Sequence, residues 1–452
     1  MMNNQQLGQP ITLEQMLDAR EFRMHMQESL IEKFEKPLIS FTLNIVGPVK
    51  VFDLSKKAYA EGIFIIKNYC KASGLNIVNF TEILENTGYE AFFSIDADPI
   101  KIKKTISQIE TNCKLGRLFD IDVINIDGQK ISRTDIGMSG RKCLLCENDT
   151  FVCSRSRAHS VDDILSATVD IMEEYFKQKY ADKIAEIATR ALLYEVQTTP
   201  KPGLVDKNNT GSHSDMNIFT FEKSAIALTP YFKEFVLEGT RNSCLQELFL
   251  KIRQIGISAE ISMLNATNGV NTHKGIIFSL GIVCAALGFM QKESYSDKLL
   301  SETCATMTKE LEQDFCNITK ENAKSHGEKV FANYNIRGIR GEAATGFSSV
   351  FEMSLPFLKQ CIGQNQSIND ACALTLLKII ANIDDTNIIT RSNYETLKEQ
   401  QLKITKFLEK PVDFMDFAQE LDEEFIKLNI SAGGSADLLA LTLFLYFFAK
   451  EV

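Results

Sequence analysis

The feature that most constrains the fold is a change of hydrophobic periodicity near residue 164. From about Ile164 onward, long stretches repeat apolar residues at the helical period of 3.6, with glycine-rich loops between them. Before that point, strand-like runs alternate with helical ones. The pattern predicts two domains that meet within a helix: an α+β domain over residues 1–175 and an all-α domain over residues 176–452.

Composition limits the class of protein. The 452 residues allow roughly two to four domains of ordinary size. A net charge of −10 argues against a protein that coats nucleic acid. Eleven scattered cysteines favour reduced thiols, and the first residues lack a basic segment followed by an apolar one. We therefore expect a cytoplasmic protein.

Two apolar runs, at 276–290 and 436–449, need a separate interpretation. Both are shorter than the roughly 20 residues that cross a bilayer as a helix. They are predicted to be buried core helices, so no membrane partner is expected.

The first domain begins with a helix signal and contains a hairpin signal. Thr12 and Gln15 form a capping-box pattern, and the helix after them places Arg20 and Arg23 on one face. Strand-like runs follow at 38–46 and 91–96, with helical segments between and after them. Asp127-Gly128 between two short runs predicts an antiparallel ribbon.

One strand of this ribbon carries two acids. In "GRLFDIDV", Asp120 and Asp122 share one face because successive side chains of a strand alternate. Two neighbouring carboxylates repel each other unless a cation lies between them, and Mg²⁺ prefers a few carboxylates together with phosphate oxygens. Both residues are therefore predicted as catalytic metal ligands for nucleotidyl transfer. The alternative is a solvated hairpin face.

Arginines surround these acids in the sequence. Guanidinium groups suit a departing pyrophosphate, which makes the arginines candidate substrate-binding residues. The alternative is that some of them pair on the surface with Asp127, Asp135 or Glu147. The candidates are Arg117, Arg133, Arg141, Arg155 and Arg157.

The segment 143–159 contains Cys143, Cys146, Cys153 and His159. A C-x2-C pair with a later cysteine and histidine could bind zinc, although one close pair is a weaker pattern than two. The residues favour free thiols, with His159 packing or binding phosphate.

A second polar cluster lies in the helical domain. The loop at 195–216 contains Glu195, Lys201, Asp206, His213 and Asp215, and its prolines and glycines shape it. A shaped polar loop usually binds a ligand, whereas the alternative is a surface loop that caps a helix.

Four further loop-to-helix junctions repeat this theme, since helix N-termini favour phosphate. The junctions are at 269–275, 338–346, 382–391 and 431–439. They present Asn271, His273, Lys274, Arg340, Glu342, Asp384, Asp385, Arg391 and Asp437.

The first domain resembles the citrate lyase holo-acyl-carrier-protein synthase family, CitX. The resemblance rests on "AREFR", "LNIVGPVK", "GRLFDIDV", "ISR" and "RKCLLCENDTFVCSRSRAH" in this order. It implies transfer of a phosphoribosyl-dephospho-coenzyme-A group to a serine of the lyase's acyl carrier subunit, with release of pyrophosphate. Together with the acidic strand and its arginines, we expect a nucleotidyltransferase-like fold, with Arg20, Arg23, the five arginines and His159 at the substrate.

The second domain resembles the triphosphoribosyl-dephospho-coenzyme-A synthase family, CitG. The matching blocks are "TPKPGLVDKNNTGSHSDM", "GVNTHKGIIFSLG", "RGEAATGF", "DDTNIITR" and "GGSADLLAL". The resemblance implies that ATP and 3'-dephospho-coenzyme A are the substrates and that a ribose hydroxyl displaces adenine.

Within that resemblance we assign roles by chemistry. Lys201, Lys274 and Arg340 are expected on the triphosphate, with Asn271 and Arg391 also binding substrate. Asp206, Asp215, Asp384 and Asp385 are expected on Mg²⁺ or the attacking hydroxyl, the last two as metal ligands. Proton handling is expected from Glu195, His213, Glu342 or His273.

Together the halves predict a bifunctional enzyme of citrate lyase prosthetic-group biosynthesis that acts on nucleotides and the acyl carrier subunit. In the rival interpretation, a zinc-stabilised module only docks the carrier, and the helical domain hydrolyses ADP-ribose-like linkages.

Overall fold

The computed structural model describes residues 8–290, 295–316 and 318–452. The chain forms two compact units, which divide between Lys177 and Gln178. The division falls within one long helix, Val161–Gln197.

The first unit combines a small sheet with helices. Its elements are α1 (Leu13–Phe34), β1 (Leu38–Leu43), α2 (Asp53–Ala72), β2 (Asn76–Glu85), β3 (Gly88–Asp96), α3 (Pro99–Asn112), β4 (Phe119–Ile124), β5 (Lys130–Ile131), α4 (Thr150–Ser156) and the start of α5 (Val161–Gln197). The sheet order is β2-β3-β1-β4-β5, and every neighbouring pair is antiparallel. The structure thus confirms the α/β character of this unit.

Several local predictions are confirmed. Thr12 and Gln15 exchange side-chain and backbone hydrogen bonds at the start of α1, as a capping box does. β4 and β5 form the predicted antiparallel ribbon, and Gly128 takes a left-handed conformation (φ +80°) in its turn.

β2 departs from the expectation of helical segments between β1 and residue 91. This strand pairs with β3 at the edge of the sheet, and its register shifts between Ile77 and Asn79. Such a bulge interrupts the alternation of apolar and polar residues, so the sequence does not show a regular strand period.

The two faces of the sheet differ sharply. One face packs Phe41, Phe93 and Ile121 into a core with α2 and α3. The opposite face lies towards α1, where Leu30 meets Leu38 in a smaller apolar cluster. Because strand side chains alternate, the polar residues of β1, β3 and β4 are presented on the α1 side of the sheet.

The described part of the second unit is helix-rich and contains no strand. Its helices after α5 are α6 (Ile218–Arg241), α7 (Leu245–Ala266), α8 (Lys274–Met290), α9 (Asp297–Met307), α10 (His326–Tyr334), α11 (Gly338–Ala344), α12 (Leu355–Gly363), α13 (Ile368–Asn382), α14 (Thr386–Arg391), α15 (Tyr394–Glu409), α16 (Phe414–Lys427) and α17 (Gly433–Glu451).

The two long apolar runs are buried core helices, as predicted. Nearly all of α8 is inaccessible to solvent. Among the described residues, only α17 is long and apolar enough to cross a bilayer, and 67% of that stretch is buried inside the unit. Such burial is compatible with the core helix of a soluble protein.

Glycines bring α6 close to α8. A Cβ on Gly239 would lie 2.1 Å from the carbonyl oxygen of Ala285, and a Cβ on Gly288 would lie 2.0 Å from that of Val236. No larger residue fits there without moving a helix. This contact holds α8, which begins at the candidate site residue Lys274 and follows two others, Asn271 and His273.

Candidate functional site

A row of polar groups crosses the α1 side of the sheet. Asp120 of β4 pairs with Thr42 of β1, which pairs in turn with Glu90 of β3. Asp122 follows on the same face, one row away and opposite Ser40. The predicted shared face of the two aspartates is therefore confirmed, and Glu90 is a third carboxylate that the sequence did not reveal.

Two arginines of α1, Arg20 and Arg23, lie next to this row of polar groups. Arg23 forms an ion pair with the buried Glu90 at 2.5 Å. Arg20 and Arg23 line a recess of about 140 Å³ together with Lys50 and Asp120. Three cationic side chains and a carboxylate thus share one small cavity, as expected of a phosphate site with a nearby cation.

Lys50 was missed in the sequence although it lies in the quoted "LNIVGPVK" block. Its Nζ donates to the carbonyl oxygen of Ile45 at 2.5 Å. Burial lowers the pKa of Lys50, and the nearby charge of Arg20 lowers it further. An anion in the recess would relieve this repulsion.

The two aspartates differ in their surroundings. Asp120 borders the recess. Partial burial raises the pKa of Asp120, and repulsion from the charge of Asp122 raises it further. Asp122 forms an ion pair with Lys130 of β5 at 2.6 Å.

Three of the predicted arginines anchor the segment beside β4. Arg133 and Arg141 both form ion pairs with Glu110 of α3, whose side chain is buried. These ion pairs differ from the surface pairs with Asp127, Asp135 or Glu147 that the sequence left open. Arg141 also donates to the carbonyl oxygen of Phe119 at 2.7 Å. Arg117 donates to the carbonyl oxygen of Cys143 at 2.9 Å.

The remaining basic candidates lie elsewhere. The Arg155 guanidinium stacks on Phe151 at 4.1 Å, and exposed Arg157 ends α4 in a left-handed conformation. His159 meets the thiol of Cys146, with 3.4 Å between Nε2 and Sγ. Their contacts within the described chain are thus separate from the paired aspartates.

The second unit contains a cavity of about 810 Å³. This volume lies within the roughly 300–1,000 Å³ of ordinary small-molecule sites. Predicted residues from all the polar blocks meet there. They are Glu195, Lys201, His213, Asn271, His273, Lys274, Glu342, Asp384, Asp385, Arg391 and Asp437.

Lys201 and Glu195 form a buried ion pair at one wall of the cavity. The Nζ of Lys201 lies 2.5 Å from Oε1 of Glu195, and both side chains are almost fully buried. Burial raises the pKa of Glu195, while the ammonium group of Lys201 opposes that shift. Breaking such a pair on one side would leave an uncompensated charge.

Asp206 does not line the cavity and instead organises the loop. It accepts hydrogen bonds from the hydroxyl of Thr199 and from the backbone N–H groups of Lys201, Asn208 and Asn209. With its acceptor positions occupied, Asp206 holds the chain in the shape that presents Lys201.

Two anchors of this loop come from distant helices and were missed. Asp422 of α16 accepts from the N–H of Gly203 and from Asn209 Nδ2, each at 2.8 Å. Asn369 of α13 exchanges two hydrogen bonds with the backbone of Thr199.

Asp422→Ala is therefore expected to loosen the loop, because two donors would lose their acceptor at a cost of about 1–3 kcal/mol each. Limited proteolysis should then cut between residues 203 and 212. Asp422→Asn keeps only one of the two acceptor oxygens, so its resistance should be intermediate, and the exposed Glu420→Ala serves as a control on the same helix. Equal resistance of Asp422→Ala and the unsubstituted chain would show that the anchor is unimportant.

His213 lies in a hydrogen-bonded chain at another wall. Arg391 donates to the carbonyl oxygen of Ser212 and contacts Nδ1 of His213 at 3.2 Å. The other ring nitrogen of His213 lies 3.0 Å from the hydroxyl of Ser431. Burial lowers the pKa of His213, and the charge of Arg391 lowers it further.

His273 precedes α8 and is buried, with one ring nitrogen engaged. Thr272 donates to the hydroxyl of Ser224, which lies 2.6 Å from Nδ1 of His273. The buried Nε2 has no hydrogen-bond partner within the described chain. Burial lowers the pKa of His273 to about 3, so the ring is neutral at pH 7. With Ser224 donating to Nδ1, the proton lies on Nε2, which can then donate to a ligand in the cavity.

The buried neutral state of His273 makes a pH prediction. Between about pH 6.5 and 3 the unfolded chain binds a proton that folded His273 does not, so stability falls as pH falls. His273→Gln should reduce the stability lost between pH 7 and 5 by roughly 2 kcal/mol in urea denaturation. The exposed His326→Gln is the control. An unchanged pH dependence in His273→Gln would contradict the assignment.

The three aspartates in the cavity wall, Asp384, Asp385 and Asp437, make different contacts. Asp385 caps α14 and accepts from the backbone and hydroxyl of Ser435 at 2.7 and 2.8 Å. Asp384 forms an ion pair with Lys398 at 2.7 Å. Asp437 faces the cavity, and its pKa is raised well above the usual range by burial and by the charges of Glu195 and Asp385.

Two predicted residues have a different position from that expected. Arg340 does not line the cavity, whereas Arg337, which the sequence analysis did not select, does. Arg337 lies at the N-cap of α11, and Gly341, one helical turn further on, also borders the cavity. Asp215 is exposed and lies near His213 rather than in the cavity wall.

Each domain matches a known family. The CitX family model, described as apo-citrate lyase phosphoribosyl-dephospho-CoA transferase, matches residues 11–175. The CitG family model, described as ATP:dephospho-CoA triphosphoribosyl transferase, matches residues 181–452. The chain belongs to the CitXG family of fusion proteins. It thus combines two transferase activities of citrate lyase prosthetic-group biosynthesis in one polypeptide.

Full-length relatives have the same organisation. Protein CitXG of Haemophilus influenzae is 35% identical over 97% of this chain and 96% of its own length. Protein CitXG of Leuconostoc mesenteroides subsp. cremoris is 35% identical over 97% of each chain. The 2-(5''-triphosphoribosyl)-3'-dephosphocoenzyme-A synthase of Haemophilus ducreyi is 38% identical over 66% of this chain and 98% of its own length. The chain therefore has relatives that extend over both domains and a relative that extends over about two thirds of it.

Proposed function

We propose that this CitXG protein makes and then attaches the citrate lyase prosthetic group. The helical domain joins ATP to 3'-dephospho-coenzyme A and releases adenine. The first domain transfers the resulting phosphoribosyl-dephospho-coenzyme-A group to a serine of the apo acyl carrier subunit and releases pyrophosphate. The observation that carries the proposal is that each domain has its own cavity combining cationic side chains with carboxylates.

In the helical domain, the cavity suits displacement at a sugar carbon. Lys201, Lys274 and Arg337 supply positive charge for the triphosphate of ATP. The unpartnered Nε2–H of His273 is placed to hydrogen-bond the departing adenine, and because the ring is neutral it acts as a donor rather than as a cation.

The acceptor hydroxyl in this reaction needs a base. Asp437 and Glu195 both face the cavity, and their raised pKa values make each a stronger base than an exposed carboxylate. Asp437 is the better candidate, because Glu195 is held by Lys201. Asp385 is better suited to positioning, since Ser435 and the start of α14 occupy its oxygens.

In the first domain, the recess beneath α1 suits a phosphorylated donor. Arg20, Arg23 and Lys50 would hold the polyphosphate, and Asp120 borders the same space. Burial and the charge of Asp122 raise the pKa of Asp120 in spite of nearby cationic side chains, which fits a carboxylate that a bound cation would stabilise. Asp120 and Asp122 would hold Mg²⁺, which when bound would neutralise charge on the phosphates.

The proposal includes a nucleotidyltransferase-like arrangement of the first domain. It is supported by two acids on one strand of a small antiparallel sheet with a basic helix across the same face. We further propose that the enzyme works in the cytoplasm, where both nucleotide substrates are made and where its eleven cysteines would stay reduced.

Mass spectrometry of the apo acyl carrier subunit tests both steps at once. With enzyme, ATP, dephospho-coenzyme A and Mg²⁺, the carrier should gain one phosphoribosyl-dephospho-coenzyme-A group, and adenine release should require dephospho-coenzyme A. Adenine or ribose release without dephospho-coenzyme A would instead show a hydrolase. An unmodified carrier in the presence of purified triphosphate donor would reduce the first domain to a docking module.

A further inference from the structure

A short ribbon in the first domain is built like a metal-binding hairpin. Lys142 bridges to Asp149 in antiparallel fashion, and the N–H of Cys143 donates to the carbonyl oxygen of Asn148 at 2.8 Å. The ribbon ends at the side-chain cap of α4, whose first residue is Thr150. Cys143 and Cys146 therefore lie in a tight turn directly before a helix.

Four side chains converge on one point next to this turn. Ligand atoms of Cys143, Cys146, Cys153 and His159 all lie within 4.8 Å of one another. Sγ of Cys146 is 3.4 Å from Sγ of Cys153 and also 3.4 Å from Nε2 of His159. In a tetrahedron with zinc–sulfur bonds of about 2.3 Å, two sulfurs would lie about 3.8 Å apart. The spacing thus matches four ligands around one ion.

Backbone geometry around the first sulfur supports the same conclusion. The N–H of Leu145 donates to Sγ of Cys143 at 3.5 Å, and the N–H of Cys146 also points to this sulfur. Hydrogen bonds to a ligand atom are the usual outer contacts of a metal site, and they hold this sulfur in place.

The alternatives explain less. The three sulfurs are free thiols, and 3.4 Å between Cys146 and Cys153 is far beyond a disulfide bond of about 2.05 Å. Cys143 and Cys153 are buried, and Nε2 of His159 faces the sulfur of Cys146. Among the described residues, this is the one group of three or more histidine, cysteine or acidic side chains with metal-binding spacing.

We propose that Cys143, Cys146, Cys153 and His159 bind one structural Zn²⁺. Four protein ligands close the tetrahedron and leave no position for substrate, so the ion stabilises the fold and does not take part in chemistry. The three thiols lose their protons to solvent on binding, and His159 binds through Nε2 as a neutral ring.

The zinc site would also stabilise the segment next to Asp120 of β4. Arg141 lies at the start of the ribbon and donates to the backbone of β4, the strand that carries Asp120, while Arg117 donates to the carbonyl of Cys143. Zinc would therefore fix the segment that holds both arginines beside the aspartates. This consequence for activity rests on the proposed function, whereas the binding of zinc does not.

The metal content of the full-length protein is the first test. Inductively coupled plasma mass spectrometry of protein purified without chelator should find about one zinc per chain. Cys146→Ser should lose the zinc, and Cys113→Ser, a thiol of the same domain outside the cluster, should keep it. The proposal would be overturned if the unsubstituted chain contained no more zinc than the buffer, or if Cys146→Ser contained as much zinc as the unsubstituted chain.

Cobalt substitution tests the ligand set. Co²⁺ exchanged into the full chain should show thiolate-to-cobalt charge transfer and the intense visible bands of a tetrahedral site, and both should disappear in Cys146→Ser. A weak octahedral spectrum would overturn the site.

Activity then separates this inference from the proposed function. With Mg²⁺ present, Cys146→Ser should show lower carrier modification, while its dephospho-coenzyme-A-dependent adenine release continues. If zinc is present but neither activity occurs, the site stands and the proposed function fails.

Discussion

Asp120→Asn is expected to lower carrier modification by roughly 10³-fold while adenine release in the helical domain continues. The amide keeps the size of the side chain but removes a charge that would face the cation and the donor phosphates in the recess. Carrier modification is followed by mass spectrometry with purified triphosphate donor, and adenine release by chromatography on the same preparation.

This substitution should not destabilise the domain. The raised pKa of Asp120 means that the ionised carboxylate costs folding free energy at pH 7, so a neutral amide removes a penalty. Asp127→Asn, in the exposed turn of the same hairpin, should leave both activities unchanged. Normal transfer by Asp120→Asn would refute the assignment, and loss of both activities would argue against independent sites.

Lys201→Ala is expected to abolish adenine release and to destabilise the helical domain by about 3–5 kcal/mol. The destabilisation arises because Glu195 would stay buried without its partner. Transfer of purified triphosphate donor by the first domain should persist. Adenine release is measured with saturating ATP and dephospho-coenzyme A, and stability by urea denaturation.

A second variant separates the two effects of Lys201. Lys201→Met with Glu195→Gln removes both buried charges, so it should recover much of the stability but no adenine release. The exposed pair of Lys183 with Glu451 provides the control, since Lys183→Met should cost less than about 1 kcal/mol and leave adenine release intact. Normal adenine release by the double variant would show that Lys201 serves only the fold.

The regular features of this protein could be read from its residues. Alternation along a strand placed Asp120 and Asp122 on one face, and Asp127-Gly128 predicted their hairpin. Helical periodicity predicted the second domain, and the loop at 195–216 already contained Lys201 and His213. These features depend on residues within a few positions of each other, so the local pattern is sufficient to predict them.

The partners of those residues were decided by tertiary structure. Asp206 and Asp437 are both aspartates near glycines in the sequence. Asp206 accepts hydrogen bonds from its own loop, whereas Asp437 faces the cavity. The anchor of that loop, Asp422, lies 219 positions from Gly203. Lys50 joins the arginines of α1 only because the chain folds back over the sheet.

The cysteine cluster shows the same division. Its spacing alone favoured free thiols, because a sequence carries no distance between side chains. In the folded chain four ligand atoms approach within 4.8 Å. Periodicity is a property of neighbours along the chain and was set by the residues themselves, whereas charge compensation and metal geometry depend on which distant groups packing brings together.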